Sequence, residues 1–211
     1  MHWRLKAYLA FFYICFFTSS VLSHEINIDG KLDDSAWKSA DEYTKYYESL
    51  PFTLNEPKDF QKVLILEDEK GIYLGFINKQ DKETIRANRH ERDDEMANAD
   101  KAGLAIDFDG DGLAAYAFTV SAGGSIADGI YRNEIEVNYE WDADWKSGVF
   151  VDKDYWYVEM FIPWSIAPMK AVNGEFREVK LSFWRLLAAE WRVNTTTVSY
   201  THLTLPTRRG V

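Results

Sequence analysis

The feature that most constrains the fold is a hydrophobic period of two that recurs in pairs of runs along the chain. "KVLILED" sets Val63 and Ile65 on one side of an extended backbone, and Leu64 and Leu66 on the other. "GIYLGFIN" follows, with Ile72, Leu74 and Phe76 alternating against Tyr73, Gly75 and Ile77. Successive strand side chains point to opposite faces, and two such runs joined by a short connection that ends in glycine ("EDEKG") make a hairpin. "AGLAIDF" and "LAAYAFTV" form a second pair, with Leu104, Ile106 and Phe108 facing Tyr116, Phe118 and Val120. "SGVFV" and "YWYVEMFI" flank the turn "DKD". In the second of these, Trp156, Val158, Met160 and Ile162 share a face, with Glu159 opposite, and Pro163 ends the run because it has no N–H to give to a ladder. "VKLSFWRLL" puts Leu181, Phe183, Arg185 and Leu187 on one face of a last strand. Short strands separated by turns predict an all-β protein, an antiparallel two-sheet β-sandwich of jelly-roll-like build. Helix is scarce. "DDSAWKSA" predicts a short one capped by Asp33 or Asp34. "DKETIRANRHERDDEMANAD" predicts a partly helical, irregular excursion over the sheet, the kind of loop on which a scaffold places a site.

The two ends read differently from the middle. "MHWRLK" is basic, "AYLAFFYICFF" is apolar but short for a membrane span, and "TSSVLS" supplies small residues before His24. That order predicts a secretory signal peptide over 1–23, hence an exported protein that is periplasmic, outer-membrane-associated or secreted. The one cysteine, Cys15, lies within it. The remainder therefore carries no thiolate nucleophile, disulfide or cysteine zinc site. At the other end "VSYTHLTLPT" back-translates to a transposase sequencing adapter in one frame, so 198–211 is expected to be a read-through tail rather than native sequence. Between these ends, 24–197 reads as one domain. A hydrophobic content of 46% with eight Trp suffices for a sizeable core, and a net charge of -10 argues against a nucleic-acid partner.

Three motifs carry candidate chemistry. "DFDGDG" places Asp107, Asp109 and Asp111 at alternate positions, followed by Gly112, as a calcium loop begins. An EF-hand is excluded because its twelfth position is Phe118 and both flanks alternate as strands. A looser structural Ca²⁺ site and a plain hairpin turn both stay open. "RHERDD" offers Arg89, Arg92, Asp93 and Asp94, either as planar hydrogen-bonding groups for hydroxyls or as a solvated charge run. "EWDADW" brackets Asp142 and Asp144 with Trp141 and Trp145. Flat aromatics beside carboxylates suit a sugar, which has apolar C–H faces and polar rims; two tryptophans packing a strand entry is the alternative. Asp142 and Asp144 are too close in sequence to be assigned as an acid and nucleophile pair across a glycosidic bond. Outside the leader and tail the histidines are His24 and His90, and neither sits in a triad or HExxH setting.

The opening "INIDGKLDDSAWKSA" resembles that of family-nine carbohydrate-binding-module-like domains, through Ile28-Asp29-Gly30, Leu32-Asp33 and Ala36-Trp37. The later landmarks are similar in order: "GIYLGF", "RHERDD", "AIDFDGDGLAAYAFTV", "WDADW", "YVEMFIPW" and "FWRL". "VSAGGSIADG" departs from the family, which often has an Asn-Pro-Gly turn there. The resemblance implies a β-sandwich that binds carbohydrate without catalysis and requires no cofactor, usually joined to another module. The Arg-Asp-Asp and Trp-Asp-x-x-Trp variant resembles the N-terminal part of larger exported proteins that continue into an outer-membrane barrel. On this reading Trp141 or Trp145 stacks a sugar ring, and Arg89, Arg92, Asp93, Asp94, Asp128 and Asp142 bind its hydroxyls, in the service of carbohydrate catabolism. A second reading is an accessory domain of a barrel protein with both tryptophans buried. A third makes the chain part of a glycoside hydrolase, with O-glycosyl hydrolase activity in an attached module.

Overall fold

A computed structural model describes residues 26–132, 136–170 and 177–196. The expected signal peptide with Cys15, and the expected adapter-derived tail, lie outside the described residues. The fold is an all-β sandwich of two antiparallel sheets. In chain order the described strands are β1 (Asp41–Tyr43), β2 (Tyr46–Leu50), β3 (Gln61–Glu67), β4 (Gly71–Lys79), β5 (Lys101–Asp107), β6 (Tyr116–Ser121), β7 (Ile126–Arg132), β8 (Glu136–Asn138), β9 (Lys146–Asp152), β10 (Tyr155–Pro163), β11 (Lys180–Leu187) and β12 (Arg192–Thr196). One sheet runs β1-β3-β4-β10-β9, the other β2-β12-β11-β5-β6-β7-β8.

The period of two sets the register. Val63 pairs with Phe76 and Ile65 with Leu74, so the apolar positions of β3 and β4 share the inner face. Trp156, Val158, Met160 and Ile162 extend that face, and Leu104, Ile106, Phe118, Val120, Leu181 and Phe183 meet it from the other sheet. Each such side chain contributes about 1.5–3 kcal/mol on burial. The second apolar face of β3 and β4 has its own partner. Residues 26–40 lie across the outside of the five-stranded sheet, where Ile28, Leu32 and Trp37 cover Leu64, Leu66 and Tyr73. Gly75 leaves the space that Leu32 fills; a Cβ there would stand 2.4 Å from Leu32 Cδ2.

Helix is scarcer than the sequence predicts. "DDSAWKSA" yields a 3₁₀ turn, Ser35–Ser39, and Asp34 makes no side-chain cap; its carboxylate takes the Asn27 N–H at 2.9 Å instead. The charged excursion between β4 and β5 contains only the 3₁₀ turn Lys82–Thr84. Its backbone is held from outside: Asp100 Oδ2 accepts the Arg86 N–H at 2.8 Å, and His90 N–H donates to Ser125 Oγ at 2.9 Å.

Candidate functional site

Where β5 and β6 pair, the outer face of the seven-stranded sheet is made of small residues. Opposite the core-facing Leu104 and Phe118 stand Gly103 and Ala105 on β5, and Ala117 and Thr119 on β6. A floor without bulk leaves a depression, and one large ring occupies its side. Trp184 of β11 lies on Gly103, where a Cβ would stand 2.6 Å from Trp184 Cζ2. The ring is half-buried and lines a recess of about 220 Å³ together with His90, Lys101, Thr119, Ser121 and Tyr139. That is a little below the usual range for ligand sites, about 300–1,000 Å³.

The excursion forms the wall of this recess. Ser125 Oγ–H donates to the His90 carbonyl at 2.7 Å, and the Ser125 N–H donates to Ser121 Oγ at 3.0 Å, tying the loop to the β6–β7 turn. His90 Nδ1 faces the Glu91 carbonyl at 2.9 Å, which leaves Nε2 buried and without a protein partner. Lys101 Nζ donates to the carbonyls of Asp94 at 3.1 Å and Glu95 at 2.7 Å. Burial holds its pKa below the usual lysine value, with Asp94 and Glu95 acting in the opposite direction. Tyr139 is pushed up to about 12, by burial first and then by the charge of Glu95. The recess thus combines an aromatic ring with an ammonium group, an imidazole, a phenol and hydroxyls.

The residues singled out from sequence fall in three places. Arg92, Asp93, Asp128 and Asp142 come together, with Arg92 Nε 2.9 Å from Asp142 Oδ1 and 3.6 Å from Asp93 Oδ2. Arg92 Nη2 also donates to the Asp128 carboxylate. Asp128 is fully buried, accepts the Ala143 N–H at 2.7 Å and gives its own N–H to Asp93 at 3.0 Å. Burial raises its pKa, while the Ala143 N–H and the Arg92 charge oppose the rise. The guanidinium therefore staples the excursion to β7 and to the segment before β9. Asp94 stands apart at the recess, where its backbone carbonyl holds Lys101. Arg89 is exposed.

The two tryptophans of "EWDADW" are placed differently from each other. Trp145 is 7% exposed and meets Phe118 edge-on at 5.3 Å, so it belongs to the core and presents no ring to a ligand. Trp141 is half-buried, against Tyr116 at 5.0 Å and Phe118 at 6.1 Å. An aromatic residue entering the inner face of β6 finds apolar surface to cover, and burial there outweighs display. Trp184, absent from the sequence reading as a site residue, had a signal: the alternation that puts Phe183 and Arg185 inward puts Trp184 outward.

The aspartates of "DFDGDG" close the β5–β6 hairpin. Asp107 accepts the N–H groups of Asp109 at 3.1 Å, Gly110 at 2.9 Å and Gly112 at 2.7 Å. Asp109 pairs with Arg177, and Asp111 with Lys170. The Lys170 hydrogen bond is the main cause that holds the Asp111 carboxyl below the usual carboxylate range. Protein amides and cations thus stand where a calcium ion would need free oxygens. Among the described residues no group of three or more acidic, histidine or cysteine side chains is placed to hold a metal.

No family model and no curated protein matches the chain. Solved structures do. A family 9 carbohydrate-binding module from Caldicellulosiruptor kristjanssonii, in complex with cellotriose, aligns with a TM-score of 0.59 at 13% identity over 87% of this chain and 90% of that one. Its complex with glucose aligns with a TM-score of 0.58 at 12% identity over 88% and 94%. The chain has the fold of a family 9 carbohydrate-binding module. A protein from Bacteroides uniformis described as carbohydrate-binding aligns more loosely, with a TM-score of 0.53 at 12% identity over 80% of this chain and 81% of that one. In this family 9 fold the opening "INIDG…AW" is the outer cover of one sheet, and the recess lies on the outside of the other.

Proposed function

We propose that this chain is a non-catalytic carbohydrate-binding domain, and that the recess beside Trp184 is where the sugar sits. The observation that carries the reading is the Trp184 ring laid on Gly103 among Lys101, His90 and Tyr139. An indole offers a flat apolar face to sugar C–H groups, and the polar groups around it fix orientation by hydrogen bonds. The fold supports the reading, since two structures that share it hold cellotriose and glucose. In keeping with the sequence resemblance, the domain serves a larger exported protein that contributes to carbohydrate catabolism, and any hydrolase chemistry belongs to an attached module.

Calorimetric titration with glucose, cello-oligosaccharides and common plant and bacterial polysaccharides tests this. At least one ligand is expected to bind, and Trp184→Ala to weaken it about tenfold or more, the loss of on the order of 1.4 kcal/mol. Silence across the ligand panel, or an unchanged affinity in Trp184→Ala, rejects it.

A specific observation favours a second reading, an accessory domain without a sugar ligand: Trp145 is in the core and Arg92 is held by three carboxylates. Under that reading no glycan binds, and exposed surface rather than the recess meets the attached module.

A further inference from the structure

At the end of the sandwich where β3 begins and β4 ends, the core turns polar. Gln61 and Asn78 are cross-strand partners in one sheet, and Arg185 and Asn194 in the other. Asn194 Nδ2 reaches Gln61 Oε1 across the gap at 3.4 Å. All four are buried, Arg185 to 1% exposure. Arg185 Nη2 donates to the Lys79 carbonyl and to Gln80 Oε1, both at 2.8 Å, and its guanidinium lies 5.8 Å over the Trp156 ring. None of these partners is an anion. Asp100 reaches Arg185 by hydrogen bonds through Gln80, and its charge, ahead of those of Asp59 and Glu190, acts on the guanidinium from a distance. Its Oδ2 takes Gln80 Nε2 at 2.7 Å and the Arg86 N–H at 2.8 Å, and its Oδ1 takes the Ala188 N–H at 2.7 Å.

The surplus is nearly all donors. Arg185 Nε and Nη1, Gln61 Nε2 and Asn78 Nδ2 are buried without a protein partner, and so is one acceptor, Asn194 Oδ1. Buried charges are normally paired, because a cation removed from water is costly without a counter-charge and full hydrogen bonding. Burial pushes the Arg185 pKa down to about 10, which still leaves it charged at neutral pH. We infer that this cluster is an internal anion site, in which a small monovalent anion such as chloride rests against Arg185 Nε and Nη1 and the amide groups of Gln61 and Asn78.

The site has a consequence for the recess while standing independently of it. Arg185 lies between Trp184 and Leu186, which line the recess, and the chain Arg185–Gln80–Asp100–Arg86 ties down the excursion that supplies His90 and Glu95. An anion that completes Arg185 therefore firms the wall of the outer site.

The test uses the whole chain. In crystals soaked with bromide, one anomalous peak is expected within hydrogen-bond reach of Arg185 Nε. In solution at constant ionic strength, replacing methanesulfonate, which is too large for the interior, with chloride is expected to give a saturating rise of about 2–4 °C in Tm. On this assignment Asn78→Asp sets a carboxylate in the place of the anion, and is expected to raise Tm in methanesulfonate and abolish the chloride response. Water without bromide at the site, no chloride response, or a chloride response that persists in a folded Asn78→Asp variant overturns the proposal. None of these readouts involves a sugar, so failure here and failure of the carbohydrate reading are distinguishable.

Discussion

Trp37 Nε1 donates to Glu159 Oε1 at 2.9 Å, from the N-terminal cover to the middle of β10. The other carboxylate oxygen accepts the N–H groups of Asp29 at 2.8 Å and Gly30 at 2.7 Å. One fully buried acid thus collects three donors from the opening motif. The approach is close because both chains lack side chains where they cross. A Cβ on Gly148 would stand 2.6 Å from the Asp29 carbonyl carbon, and one on Gly30 would stand 2.5 Å from that of Val149. Gly30 also has a φ of +89°, a conformation that glycine adopts without strain.

Glu159→Gln is nearly isosteric but changes the hydrogen-bond arithmetic. The amide oxygen can keep the two loop N–H groups, which turns the NH₂ toward the Trp37 N–H, donor against donor. The cost is expected to be about 1–3 kcal/mol at neutral pH in urea unfolding. Trp37→Phe in the same chain removes the opposing donor, so the double variant is expected to lose less than the two single losses added together. Simple additivity would count against the proposed pairing.

Glu67, at the end of β3, predicts a pH dependence. Burial, with the Asp41 charge adding to it, raises its pKa from 4.5 to about 7. A raised pKa means that the folded chain holds the proton more tightly than the unfolded chain, so this group's favourable contribution is complete below 4.5 and is lost as pH rises toward 7. Tm measured from pH 4 to pH 8 is expected to show the loss. Glu67→Gln should flatten that part of the profile and be more stable than the parent at pH 8 by on the order of 1–3 kcal/mol. A profile identical in both chains would assign the pH dependence elsewhere.

The hairpin aspartates predict a calcium experiment. Asp107 satisfies three backbone N–H groups, and Asp109 and Asp111 already hold Arg177 and Lys170. Calcium and chelator are expected to give the same Tm. Asp107→Ala is expected to cost about 1–3 kcal/mol, because it leaves those N–H groups without an acceptor. A calcium-dependent rise in Tm that disappears in Asp107→Ala would restore the metal reading.

The strands were legible because burial on one face imposes a period of two, and that period needs no knowledge of the partner sheet. Arg185 even fell on its correct face, beside Phe183 and Leu187, as a charged residue in an apolar row. The reason for two apolar faces on β3 and β4 was not legible, since it depends on a segment about thirty residues upstream folding back over them. The site was harder for a related reason. Trp141 and Trp145 advertise themselves by sitting next to aspartates, yet sequence neighbours on a strap do not decide which side of it meets the core. Trp184 has no acidic neighbour in sequence to single it out; Lys101, Thr119 and His90 reach it only through the sheet register and the returning loop.

That contrast gives the sharpest mutational test. Trp145 fills the core against Phe118, so Trp145→Ala is expected to cost about 3–5 kcal/mol by opening a cavity. Trp184 lies on the outer face with one side on Gly103, so Trp184→Ala is expected to cost about 1–2 kcal/mol, the burial of part of a ring. The effects on glycan binding should run the other way. In a folded sample at low temperature, Trp145→Ala is expected to keep the affinity of the parent within about threefold, whereas Trp184→Ala loses tenfold or more, by on the order of 1.4 kcal/mol. Urea unfolding and calorimetry on the same two preparations read both quantities. If Trp145→Ala abolished binding while remaining folded, and Trp184→Ala did not, the sugar would belong at the Arg92 cluster beside the strap rather than in the recess.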